Sequence, residues 1–148
     1  MDTNIFEKFR DLLNLLLYSK TEFEIVADEI GDHRLKTALN GFSEESDIYI
    51  NELCSHLQPL GFEYRHPKVL PALDVLIQEV ELSTGNNHGN ELQCLCNSSE
   101  KYITATYHEI LNGPFPFPVI KEIMIYQLGT LQSIFNKINF LNIARLSN

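Results

Sequence analysis

The chain has 148 residues, a length that suits one domain, residues 1–148, with a buried core of its own. Hydrophobic residues make up 44% and charged residues 21%, which excludes a disordered chain. No apolar run approaches the ~20 residues that span a bilayer, so we expect no membrane contact. The first residues, MDTNIFEKFR, lack the pattern of a signal peptide, and we place the chain in the cytoplasm. The net charge of -9 argues against nucleic acid as a partner, because an acidic surface repels phosphate.

The first half of the chain predicts a hairpin of two long helices. Apolar residues recur at spacings of three, four and seven, which places them on one helical face. Gly31 ends the first helix, Asp32 caps the second, and Pro59 with Gly61 ends it. So short a link makes the two helices antiparallel. The stripe of the first helix, residues 3–30, is Phe9, Leu13, Leu16, Phe23, Ala27 and Ile30, and that of the second is Leu35, Leu39, Phe42, Tyr49, Leu53 and Leu57.

Residues 62–90 predict a crossover that carries one short helix. Pro67 and Pro71 interrupt helix at its start, and the sequence STGNNHGN interrupts helix at its end. A segment of this length can run along a bundle and return the chain to the side from which it started. The third long helix is then parallel to the second. The short amphipathic stripe of the crossover is Leu73, Leu76, Ile77 and Val80.

The last part of the chain predicts a second hairpin, with helices over residues 91–111 and 118–144 joined by the stiff sequence PFPFP. The order of hairpin, crossover and hairpin predicts an all-α fold. Its architecture is a ferritin-like, up-down-down-up four-helix bundle with a short extra helix in the crossover between helices two and three. The stripe of the third helix is Leu92, Cys96, Ser99, Ile103, Thr106 and Ile110, and that of the fourth is Ile120, Met124, Leu128, Leu131, Phe135, Ile138 and Leu141.

A bundle of this topology suggests a two-metal carboxylate site, which needs Glu residues and Glu-x-x-His motifs on facing helices. The chain has one Glu-x-x-His, from Glu63 to His66, and it lies in the crossover before Pro67. The segment from Gly113 onward has one acidic residue, Glu122, and neither Asp nor His. One wall of such a site therefore lacks ligands, and we predict no metal, no cofactor and no catalytic residues.

Four residues are candidates for polar positions inside the bundle, because each lies on or beside a core stripe near the middle of a helix. A buried Glu must be paired or hydrogen-bonded, and Tyr107 could donate to such a carboxylate. The alternative is that these residues flank the core and reach solvent. The four candidates are Glu24, Glu45, Glu100 and Tyr107.

The sequence resembles a family of small bacterial ferritin-like four-helix bundles classified as a domain of unknown function. The segments that carry the resemblance are LLNLLLYSKTEFEIVADEI, LKTALNGFSEESDIYINEL followed by LQPLG, LSTGNN, and SEKYITATYHEIL. The family implies a fold related to rubrerythrin and ferritin and a role in stress adaptation or metal handling. Two features depart from it. Thr21 stands where such sequences often have Glu, and helix four carries Gln127, Gln132 and Asn136 but no His.

Two functions follow from these observations. The first is a non-catalytic bundle with an interaction or assembly role, which the missing ligands of helix four favour. The alternative is a metal-dependent oxidoreductase or iron-binding protein of the di-iron type, with an unusual site built from Glu24, Glu45 and Glu100. Metal analysis separates the two.

Helix four also predicts a homodimer, whereas the sequence does not identify another protein partner. Ile123, Tyr126, Ile134 and Phe140 widen its apolar surface beyond one core-facing stripe, and a twofold partner can cover the surplus. The charge distribution agrees. Residues 1–112 hold 8 basic and 19 acidic residues, a net charge of -11, whereas residues 113–148 hold 3 basic and 1 acidic residue, a net charge of +2. A contact through the last segment avoids the repulsion between two acidic surfaces.

Overall fold

The computed structural model describes residues 3–65, 74–78 and 91–146, and within these ranges the regular secondary structure is helical. The prediction of an all-α fold is confirmed. The long helices are α1 (Thr3–Glu29), α2 (His33–Leu57), α3 (Glu91–Leu111) and α4 (Pro118–Leu146). Among the described helices, none combines the length and the apolar character that crossing a bilayer requires.

The local signals at the ends of α2 act as predicted. Asp32 is the N-cap residue, and its side chain accepts a hydrogen bond of 3.0 Å from the backbone N–H of Leu35. At the other end the chain tightens into a 3₁₀ turn, Gln58–Leu60. Gly61 then adopts φ 95°, a left-handed conformation that glycine accepts without strain, and this ends the helical path.

The four long helices pack in a ring, in which α1 and α4 each contact both α2 and α3. Contacts between residues on different helices show the relative directions of those helices. Early in α1, Lys8 forms an ion pair of 3.3 Å with Glu109 near the end of α3, and late in α1 the Phe23 ring lies 4.6 Å from that of Phe42. Along these contacts α1 runs in the opposite direction to α2 and to α3.

The core occupies the space between the four helices and is rich in leucine and phenylalanine. Aromatic rings cluster at the bundle end where α1 begins, with Phe9 5.4 Å from Phe115 and Phe6 5.4 Å from Phe62. A second group joins α1, α2 and α4. Its members are Phe23, Phe42 and Phe135.

One described piece of the predicted crossover is helical, residues 74–78. Leu76 is fully buried in the bundle core, and Ile77 packs against it, as the predicted stripe requires. The other two stripe residues, Leu73 and Val80, lie outside the described residues, as do Pro67, Pro71 and the sequence STGNNHGN. Residues 74–78 therefore contribute at least one side chain, that of Leu76, to the core.

Candidate functional site

The most distinctive polar feature of the interior is a chain of three hydrogen-bonded side chains, which we call the tyrosine–amide chain. The Tyr107 hydroxyl donates to Gln127 Oε1 at 2.9 Å, and Gln127 Nε2 donates to Glu52 Oε1 at 2.8 Å. Tyr107 and Gln127 are fully buried, whereas Glu52 is half-buried. The chain thus links α3, α4 and α2 across the bundle.

Helical spacing explains why these groups meet inside the bundle. Gln127 lies three residues after Met124 and four before Leu131, so its amide shares the core-facing stripe of α4. Tyr107 lies four residues after Ile103 on the core-facing stripe of α3. Glu52 precedes the buried Leu53 and reaches the amide from the edge of α2.

The chemistry of the tyrosine–amide chain is that of a structural contact. Burial raises the pKa of the Tyr107 hydroxyl, and the nearby Tyr49 and Glu52 raise it further, so Tyr107 is a neutral donor at ordinary pH. An amide accepts through its oxygen and donates through its nitrogen, but it is neither an acid nor a base in this pH range. Gln127 therefore holds its two neighbours in place without passing a proton between them.

A second polar contact, which we call the serine pair, joins α1 to α3. Ser19 Oγ donates to Ser99 Oγ at 2.9 Å, and both residues are fully buried. Ser46 of α2 is also fully buried, and its hydroxyl has no hydrogen-bond partner among the described residues. The interior at these three positions is lined by small, neutral hydroxyl groups.

Of the four candidate residues, Glu24 lies at the surface between α1 and α2. Its carboxylate accepts hydrogen bonds from Lys20 Nζ and from Ser43 Oγ, and its side chain is 43% exposed. The bond from Lys20, followed by that from Ser43, lowers the pKa of Glu24. Lys20 also lies 3.7 Å from Asp47. Glu24 is therefore an ionised member of a surface network.

The other candidates are not brought together. Glu45 and Glu100 are half-buried at the edges of α2 and α3, and burial raises the pKa of the Glu100 carboxyl. Tyr107 is fully buried inside the bundle. Its acceptor is the Gln127 amide, however, and not one of the predicted carboxylates.

The interior residues do not fit a two-metal carboxylate centre. Within the described ranges, no group of three or more His, Cys, Asp or Glu residues is placed to hold a metal ion. The buried polar side chains of α4 are two neutral amides, those of Gln127 and Asn142. Hard metal ions are held by carboxylates and softer ones by imidazole or thiolate, and the Gln127 amide instead binds Tyr107 and Glu52.

A cleft lies at the bundle end where α1 begins, next to the loop between α3 and α4. Its volume is about 410 Å³, and its walls include Ile5, Phe115 and Phe117. Lys8 is the one charged residue among its described lining residues, and its ammonium group is already paired with Glu109 at 3.3 Å. The cleft offers an apolar surface and no pair of groups for acid–base chemistry.

Tyr107 was a candidate from the sequence, but its partners inside the bundle were not identified. Gln127 was noted only among the polar residues of helix four, which has no His, and its contacts with Tyr107 and Glu52 were not predicted. The available signal was the spacing of Gln127 between Met124 and Leu131, which puts an amide on a core stripe. A buried amide requires partners, and this alone would have drawn attention to polar residues on the facing helices.

Comparison of the chain with protein-family models, with curated proteins and with solved structures gives no match. The resemblance to ferritin-like bundles therefore stays a prediction that rests on the sequence. The structure itself defines the class of the protein, an all-helical chain whose interior carries neutral hydrogen-bonded groups.

Proposed function

We propose that this protein is a non-catalytic, ferritin-like four-helix bundle that acts through contacts with other protein chains in an assembly. The observation that carries the proposal is the tyrosine–amide chain, in which the buried Tyr107 hydroxyl and the buried Gln127 amide are uncharged and already hydrogen-bonded. Such an interior stabilises a scaffold, and the functional contacts of the protein then lie on its outer faces.

The helix directions support the ferritin-like part of the proposal. Contacts such as Phe23 with Phe42 and Lys8 with Glu109 make α1 antiparallel to α2 and to α3. The contacts of Gln127 with Glu52 and with Tyr107, together with Cys96 Sγ near the Phe135 carbonyl oxygen at 3.8 Å, align α4 against the same two helices. These contacts support the up-down-down-up order that we propose, which is the order of bundles with one crossover.

Metal analysis tests the proposal. Protein purified without chelator from cells fed with iron and manganese is expected to contain well under one metal ion per chain. Added iron, manganese or zinc should leave the melting temperature unchanged. A site that binds the folded state would stabilise it by RT ln(1 + [L]/Kd), which is about 2.7 kcal/mol at a hundredfold excess over Kd.

The alternative, a metal-dependent oxidoreductase or iron-binding protein, predicts the opposite result. A stoichiometric metal ion that raises the melting temperature, and that Glu45→Ala removes, would replace our proposal with that function. The matched control is Glu44→Ala, because Glu44 precedes Glu45 in the same helix and is exposed. Loss of metal in both variants would indicate adventitious binding to acidic surface residues.

A further inference from the structure

Eight residues of α4 form one continuous line along its outward face, which we call the outer seam. They alternate in spacings of three and four, the pattern with which one helix packs along another. All eight are exposed, so this pattern is additional to the stripe that faces the core. The outer seam consists of Val119, Glu122, Tyr126, Gly129, Ser133, Asn136, Phe140 and Ile143.

The outer seam holds large apolar side chains in water. Tyr126 is 69% exposed and Phe140 is 72% exposed. Of the nine large hydrophobic residues exposed in the described part of the chain, six belong to α4. A helix that is apolar on all sides is normally covered on all sides, and apolar surface concentrated on one helix marks an interaction site.

We infer that the outer seam binds the outer seam of a second copy of this chain, with the two α4 helices antiparallel and crossing between Gly129 and Thr130. The inference rests on the proposed assembly role and names the partner. Gly129 has no side chain, and no other group lies within 4 Å of the position that a Cβ atom there would take. The two helices can therefore approach closely at this point.

The charges on this face specify the antiparallel direction. Glu122 belongs to the outer seam, and Lys137 lies beside the seam, one residue after Asn136. Both are exposed, and both lie the same number of residues from the crossing point. In an antiparallel pair, Glu122 faces Lys137 of the partner subunit, and the twofold axis makes this contact twice. In a parallel pair, each of these charges would face its own copy and repel it. The charge pattern therefore favours an antiparallel pair of α4 helices over a parallel pair.

The sizes of the side chains agree with the same alignment. Tyr126 faces Ser133 of the partner subunit, so a large ring meets a small residue. Val119 faces the partner's Phe140, so an apolar side chain meets another. Both contacts are again made twice, and they cover the most exposed apolar residues of the seam.

The size of the seam sets the expected affinity. A helix of 29 residues is about 43 Å long, and a strip roughly 10 Å wide along it would bury on the order of 400 Å² per copy. A standard stable interface buries about 800 Å² per partner. We therefore expect a dimer that dissociates in the micromolar range, with a mass of twice the 17.0 kDa chain at high concentration.

Sedimentation equilibrium of the full chain tests the inference, at protein concentrations from about 1 to several hundred micromolar. The original chain is compared with variants in which the charges of Glu122 and Lys137 are exchanged. Glu122→Lys alone and Lys137→Glu alone should each weaken dimerisation roughly tenfold, because two attractive contacts become repulsive. The double variant should restore the affinity of the original chain. The matched control, Glu44→Lys, makes the same charge change at an exposed position of α2 and should leave the affinity within twofold.

Other outcomes overturn the inference. A monomer over the whole concentration range excludes the second copy as the partner. A dimer that neither single exchange weakens excludes the antiparallel alignment. Circular dichroism of every variant confirms that the helices are intact. Metal content tests the proposed function separately, so a metal-free monomer would refute the dimer and leave the proposed function standing.

Discussion

At the scale of single residues, the Gln127 amide connects three helices inside the bundle. It is fully buried, and it accepts from Tyr107 while donating to Glu52. A buried polar group without a partner loses its hydration and gains nothing in return. Any change at Gln127 therefore acts on three helices at once, because its partners belong to α3 and α2.

Replacing Gln127 with Ala should lower the free energy of unfolding by about 2–4 kcal/mol. The variant leaves the buried Tyr107 hydroxyl without its acceptor and opens a cavity beside it. Gln132→Ala is the matched control, because Gln132 lies in the same helix and is half-buried but takes no part in the tyrosine–amide chain. This variant should change the free energy of unfolding by less than about 0.5 kcal/mol. Urea unfolding followed by circular dichroism measures both. Equal effects of the two variants would show that the tyrosine–amide chain does not stabilise the fold.

At the scale of the helices, the α1–α2 hairpin owes its geometry to three residues between its arms. At the end of α1, the Ile30 N–H donates to the Val26 carbonyl at 3.0 Å. The Asp32 side chain then caps the start of α2. The start of α2 is thus fixed by a side chain, because the first N–H groups of a helix lack partners within it.

We expect Asp32→Ala to destabilise the protein by about 0.5–2 kcal/mol, the usual cost of losing an N-cap side chain. Asn40→Ala is the control in the same helix. Asn40 is exposed, and alanine has the higher helix propensity, so this variant should be neutral or slightly stabilising. Thermal unfolding measures whether each variant lowers or raises the melting temperature. A neutral Asp32→Ala would mean that packing alone defines the start of α2.

At the scale of the whole molecule, the long helices do not complete the core by themselves. The described residues 74–78, within the predicted crossover, add a fully buried leucine, Leu76, next to an exposed valine, Val75. The segment therefore presents one face to the bundle and the other to solvent, and the core includes a residue from outside the four long helices.

Leu76 and Val75 make a matched pair for testing the crossover. Leu76→Ala should cost about 2–5 kcal/mol, because it removes buried hydrocarbon and leaves a cavity. Val75→Ala, at a side chain that is 42% exposed, should cost less than about 1 kcal/mol. Chemical denaturation of the two variants gives the comparison. If both were neutral, the crossover would not be part of the cooperative core.

The bounds of the helices were predicted from the sequence more accurately than the side-chain contacts between them. Capping and stop signals gave the bounds of α3 as observed and those of the other long helices to within a few residues, since such signals are local. The pairing of Gln127 with Glu52 joins residues 75 positions apart, and periodicity assigns a face without naming the residue opposite. The surplus surface of α4 was predicted in part. Tyr126 and Phe140 are exposed, whereas Ile123 and Ile134 pack against the core.

The serine pair has a consequence for how α1 and α3 slide along one another. Leucine and phenylalanine stripes pack acceptably after a shift of one turn, about 5.4 Å, because one hydrocarbon surface replaces another. The same shift would separate the Ser19 and Ser99 hydroxyls and press each against hydrocarbon, at a cost of about 1–3 kcal/mol per unpaired group. Two small hydroxyl groups therefore select a single axial alignment for helices whose apolar surfaces would accept several.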